Sequence, residues 1–157
     1  MIPKITQHNN QNALHIDSDA VRFFCVEMLH YLHLSTDELI VHFISVERTI
    51  FLHGLFFSDP TTTDCMTFPI DGTSIKEEGI LHTIGECFIN PQEAIHFLPE
   101  DPYRELSRYI IHCILHLAGY CDDTQDQQDE MRHLEDLALE HAEKKKVLLS
   151  NPHPLYT

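Results

Sequence analysis

Apolar residues recur at helical spacing at Val21, Phe24, Cys25, Met28, Leu29 and Leu32, which predicts a helix from about Ala20 to Leu34. Ser18 or Asp19 stands where such a helix needs its N-cap. Just upstream, Ala13 to Asp17 reads as a short strand. Leu39 to Val46 (LIVHFISV) is rich in β-branched residues and predicts a buried strand. Glu47 to Phe57 has no clean period and is read as helix. Asp59-Pro60 and three threonines make a loop, and two further strands follow at Cys65 to Ile70 and Thr83 to Asn90. Pro91 suits the first turn of a short helix reaching Phe97, and Pro99 to Pro102 breaks the chain. Tyr103 to Ala118 is a long apolar helix closed by Gly119. A last amphipathic helix runs from about Gln128 to Lys145, with lysines 144 to 146 at its negative dipole end.

The pattern predicts four short strands and about five helices, with both helix-linked and consecutive strands. That is the signature of the α+β, or mixed α/β, class. A chain of 157 residues with 43% apolar residues fits one domain, expected to span 1–149 and to be followed by a flexible, Pro-containing tail, 150–157. No apolar run approaches the ~18 residues of a membrane span, and the opening MIPKITQHNN is too polar for a signal peptide. Five scattered cysteines without a CxxC are expected to be reduced thiols, which implies a cytoplasmic location.

Charge narrows the choice of partners. With 25 Asp+Glu against 10 Lys+Arg the formal charge is −15, which opposes broad electrostatic binding to nucleic acid but leaves room for a local site. Thirteen histidines are an excess that composition does not explain. Most of them, including His30, His33, His42 and His96, share no spacing that defines a site.

Two do. His112 and His116 are four residues apart on the most apolar helix of the chain, so both imidazoles leave one face among Ile110, Ile111, Ile114, Leu115 and Leu117. Buried imidazoles need partners; a divalent metal is one, and two separate hydrogen bonds are the plainer alternative. Gly119 lets the chain turn back, and a carboxylate six residues after His116 would supply a third ligand. Cys113 stands where a zinc-protease HExxH helix needs its general-base Glu, so that reading is poor.

The stretch His112-Cys-Ile-Leu-His116-Leu-Ala-Gly119-Tyr120 resembles the HGxLHLxGYDH signature of the YbeY family. Residues Leu52-His53 through Thr63-Asp64-Cys65-Met66-Thr67-Phe68-Pro69 match that family's LNxxYRxxxxPTDVLSFP pattern in length. Ile84 to Ile89 resembles its LGDIVI strand and Met131 to Leu137 its MRxxEExIL helix, so coverage runs from about residue 40 to 140. The resemblance implies a mostly parallel four-stranded sheet, with a metal site on a central helix and the following turn. It further implies a single-strand-specific, metal-dependent endoribonuclease acting in ribosomal RNA maturation and ribosome quality control. The implied partners are ribosomal RNA and ribosomal proteins of the small subunit, with no membrane.

Carried over residue by residue, the family pattern implies one divalent metal, expected to be Zn2+, on His112, His116 and Asp122. Asp122 replaces the family's third histidine, Cys121 the preceding acid, Phe57 its arginine and His53 its asparagine. Asp123 and the Cys121 thiol are the competing third ligands. The losses at Phe57 and Asp122 leave the site two charge units less positive than the family pattern, which weakens Lewis acidity and removes a phosphate clamp. The expected substrate groove is formed by His53, Thr63 and Asp64, against the alternative of a packing histidine and a capped loop. Glu86 is expected behind a metal histidine, or else at a solvated strand position. No residue matches a separate general base. A metal-binding ribosome-assembly factor with weak or no nuclease activity, and a metal hydrolase of another substrate, are the alternatives.

Overall fold

Four strands and five helices are spread along residues 2–152, which are the residues the computed structural model describes. In chain order they are β1 (Lys4–Asn10), α1 (Ser18–Tyr31), β2 (Glu38–Ile44), α2 (Val46–Phe57) and β3 (Cys65–Pro69), then β4 (Thr83–Ile89), α3 (Pro91–Phe97), α4 (Pro102–Leu117) and α5 (Gln125–Lys144). The tail expected from residue 150 falls largely on 153–157, outside the described residues.

The sheet order is β1-β2-β4-β3. β1 and β4 both run parallel to β2, while β3 pairs antiparallel with β4, Thr67 opposite Cys87. The α+β class and the mostly parallel sheet are both as expected. Leu39, Val41 and Phe43 of β2 and Cys87 and Ile89 of β4 are fully buried in the main core, which α1, α4 and α5 complete. A smaller cluster, Ile44, Leu52 and Met66 with Phe68 and Phe88, lies under α2.

The first strand corrects the sequence reading. Ala13 to Asp17 is irregular, and the true edge strand is Lys4–Asn10. Only Ile5 of that strand is buried, so its KITQHNN carries almost no apolar alternation, whereas Leu14 and Ile16 pack on the core from an irregular link. The cap of α1 is Asp17, whose Oδ1 accepts from the Asp19 and Ala20 amides at 3.0 and 3.3 Å. At the other end of the chain α5 begins three residues earlier than expected, on a Thr124/Gln127 capping box.

α4 is the axis of the molecule. Asp101 caps it, Pro102 occupies its first turn, and Ile110, Ile111, Cys113, Ile114 and Leu115 are fully buried. It docks so closely on β4 that a Cβ at Gly85 would collide with the Leu117 side chain and lie 2.7 Å from the Phe68 carbonyl oxygen. Gly119 (φ 100°) ends the helix, with the Tyr120 amide returning to the Leu115 carbonyl at 3.1 Å. This turn brings residues 120 to 122 back over the last turn of α4.

Candidate metal centre

His112 and His116 leave the last two turns of α4 on its one open face, and Asp122 reaches back from the turn that Gly119 permits. Their donor atoms converge: Nε2 of His112 and Nε2 of His116 are 3.0 Å apart, and Oδ2 of Asp122 is 3.4 Å from each. A tetrahedral ion about 2.1 Å from its ligands spaces them roughly 3.4 Å apart, so this triangle is the right size for one. Among the described residues it is the one group of His, Cys, Asp or Glu donors so disposed.

The outer nitrogens fix the tautomers. Nδ1 of His112 lies 2.7 Å from Oε2 of Glu135, and Nδ1 of His116 lies 3.0 Å from the Tyr120 carbonyl oxygen. Both partners only accept, so each Nδ1 must donate its proton. In the neutral rings the two Nε2 lone pairs then face one another and a carboxylate, an arrangement that repels itself unless a cation sits between them. Consistent with this, His112 is drawn above the ordinary imidazole range: burial works against its charge, but the Glu135 hydrogen bond and nearby negative groups outweigh it.

Glu135 is itself anchored. Its Oε1 accepts from Nη1 of Arg108 at 3.0 Å, and Arg108 also reaches Asp136 at 2.8 Å. Burial works against the Arg108 charge, but these two acids hold its pKa above the usual arginine value. Glu135 occupies the buried stripe of α5 with Met131, Ala138, Leu139 and Ala142, and an acid in an apolar stripe was the signal that could have found it.

All three expected groove residues line one cleft. His53, Phe57, Thr63 and Asp64 line a cleft of about 660 Å³ with His112, His116, Tyr120, Cys121 and Asp122. His53 is 2.9 Å from the Thr61 carbonyl oxygen through Nδ1. Thr63 and Asp64 also serve the loop, whose carbonyls accept from Asn90 at 3.1 and 2.9 Å. Cys121 lines the cleft without joining the triangle, and its thiol lies 3.9 Å from the Gly119 carbonyl oxygen. The Asp123 carboxylate also stands outside the triangle. Glu86 is elsewhere: its carboxylate pairs with His42 at 2.8 Å on the α2 face of the sheet. The acid behind a triad histidine is thus Glu135, because Glu86 alternates away from α4 along β4 while Cys87 and Ile89 point toward it.

A second cleft, about 370 Å³, opens on the other side of the triangle between α3, α4 and α5. It shares Thr63, Asp64, His112 and Asp122 with the first and adds Glu93, Glu105, Arg108, Arg132 and Glu135.

An α+β fold with a His-His-carboxylate group at the end of its central helix, able to hold a metal ion, defines the class of protein. Residues 5–143 match the family model described as Endoribonuclease YbeY. A Chlamydia pneumoniae protein named Endoribonuclease YbeY is 35% identical over 153 residues, 94% of this chain and 96% of the relative. Its Chlamydia caviae namesake is 37% identical over 149 residues, covering 91% and 93%. The solution structure of TM1509 from Thermotoga maritima shares the fold, with a TM-score of 0.54 at 20% identity over 97% of this chain and 100% of that one. The chain belongs to the YbeY family.

Proposed function

We propose that the protein is a metal-dependent, single-strand-specific endoribonuclease of ribosomal RNA maturation, with one zinc ion on His112, His116 and Asp122. The observation that carries this reading is the triangle of two Nε2 atoms and one carboxylate oxygen, with the two Nδ1 atoms turned outward to Glu135 and the Tyr120 carbonyl. Family membership supplies the substrate class. The proposed setting is the cytoplasm, with ribosomal RNA and small-subunit ribosomal proteins as partners.

When bound, zinc at such a site acidifies a coordinated water and polarises a phosphoryl oxygen. The chain's own residues do the rest. Glu135 and the Tyr120 carbonyl hold the two imidazoles in the one tautomer that presents Nε2. Asp122 adds a negative charge where the family pattern has a neutral ring, so less positive charge faces the substrate. His53, Thr63 and Asp64 form the floor of the groove through which the strand passes, and Phe57 and Tyr120 offer apolar faces to its bases.

One observation favours a second reading, a metal-binding ribosome-assembly factor with little nuclease activity. The α5-side cleft carries five carboxylates, Asp64, Glu93, Glu105, Asp122 and Glu135, against two arginines. Zinc-loaded protein incubated with single-stranded and precursor ribosomal RNA separates the two. Cleavage is expected from the wild type and none from the His112→Ala/His116→Ala double variant, which should also purify without stoichiometric zinc. Full zinc retention by the double variant sinks the site, whereas zinc binding without cleavage by the wild type favours the assembly factor.

A further inference from the structure

We infer that Arg132 grips a phosphate of the RNA strand beside the His112/His116/Asp122 centre, a role that rests on the endoribonuclease reading above. The inference starts from where positive charge is available. The α2-side cleft has no lysine or arginine in its lining, and its position 57 is phenylalanine. A strand crossing the centre must therefore find its cation on the α5 side, which offers Arg108 and Arg132.

Arg108 is already committed. It donates to Glu135 at 3.0 Å and to Asp136 at 2.8 Å, and its Nε lies 3.8 Å from Glu105, with the side chain only 12% exposed. Its charge is cancelled inside the protein, and its donors point at the acid that orients His112. Arg132 differs on every count. It is solvent-exposed, lines the cleft, and forms no ion pair or side-chain hydrogen bond among the described residues. Its field still reaches inward, since it acts to lower the pKa of Glu105 against the burial that raises it.

Position follows from the helix. Arg132 precedes Glu135 by three residues, so the two side chains start roughly 5–6 Å apart on one face of α5. Glu135 touches His112, and Arg132 shares its cleft with His112 and Asp122. Its guanidinium is therefore presented to the edge of the centre, where a phosphate next to the scissile one would lie. A planar, permanently charged fork suits phosphate oxygens. Five carboxylates line the same cleft, so this single free cation offsets a repulsive field that would otherwise exclude the strand. Phosphates on the α5 side and bases against Phe57 and Tyr120 on the α2 side give the strand one orientation across the triangle.

The test uses the zinc-loaded full chain, a labelled single-stranded oligoribonucleotide, and the variants Arg132→Gln, Arg132→Lys and Lys144→Gln/Lys145→Gln/Lys146→Gln. The triple-lysine change lies about 18 Å away along α5 and samples the other cationic cluster of that helix. Arg132→Gln should keep full zinc stoichiometry and thermal stability while losing about 10- to 100-fold in kcat/KM. The slope of log affinity against log salt should become shallower by about 0.7, the share of one phosphate on a single strand. Arg132→Lys should recover part of both losses, and the triple-lysine variant should match the wild type. Wild-type kcat/KM and salt slope in Arg132→Gln, with the wild type active, would overturn the assignment to Arg132 and leave the nuclease standing. The same holds if the lysine triple takes the losses instead. A wild type that neither binds nor cleaves the oligoribonucleotide removes both.

Discussion

His112 and His116 sit one turn apart on the same helix, yet they are held in place by unlike means. His112 leans on a side chain, Glu135, which is 6% exposed and in turn gripped by Arg108 from α4 itself. His116 leans on the main chain, the Tyr120 carbonyl, which the Gly119 turn carries into reach. One support is a charged network built across two helices; the other is a carbonyl four residues further along the chain, in the turn after α4. The first can be removed by changing one side chain. The second has no side chain to remove and yields only to a change in backbone shape.

The sharpest way to break the contrast is Glu135→Ala. It strands Arg108 with part of its charge uncompensated and leaves Nδ1 of His112 without an acceptor. Stability should fall by about 2–4 kcal/mol and zinc affinity by about 10- to 100-fold, read by urea denaturation and isothermal titration. Glu135→Gln keeps an acceptor of similar shape and should lose less of both. Equal losses in the two variants would mean that volume, not charge and orientation, is what Glu135 supplies.

A smaller effect is expected at the other support. Nothing lies within 4 Å of a Cβ built on Gly119, so Gly119→Ala meets no obstacle and carries only the strain of a φ of 100°. That strain should cost about 1–2 kcal/mol, with zinc affinity falling through His116 while the Glu135 network stays intact. An unchanged zinc affinity would show that the Tyr120 carbonyl follows the ring wherever the turn goes.

The smallest effect is in pH. The folded protein raises the His112 pKa above the ordinary value of about 6.5. For the metal-free protein this contributes stability that is fully present below the unfolded value and is lost as pH rises through the folded one. Zinc needs the neutral ring, so its own stabilisation runs the other way and grows over the same window. The gap in Tm between zinc-loaded and metal-free protein should therefore widen from about pH 6 to pH 8, and should widen less in Glu135→Gln.

The sequence spoke most clearly where local and global demands agree. On α4 the apolar period and the Gly119 stop coincide with deep burial, although the helix begins at Pro102 rather than after it, and the convergence of His112, His116 and Asp122 follows from spacing and one turn. It spoke least clearly at edges. The β1 strand hides because six of its seven residues are not buried, so pairing to β2 holds it rather than an apolar face. The start of α5 hides because its first turn is wholly polar and only the Thr124/Gln127 cap marks it. Glu86 and Glu135 could not be told apart by type or by match to a family motif; the choice between them depends on which face of β4 looks at α4, and that is a tertiary fact.

The close seat of Leu117 on Gly85 adds one last point about His116, its neighbour in the chain. Because no side chain intervenes at residue 85, the Leu117 side chain rests directly on the β4 backbone, and that contact sets how closely the last turn of α4 approaches the sheet. The distance of the donor triangle from the sheet is therefore set in part at Gly85, a residue that is not among the three donors.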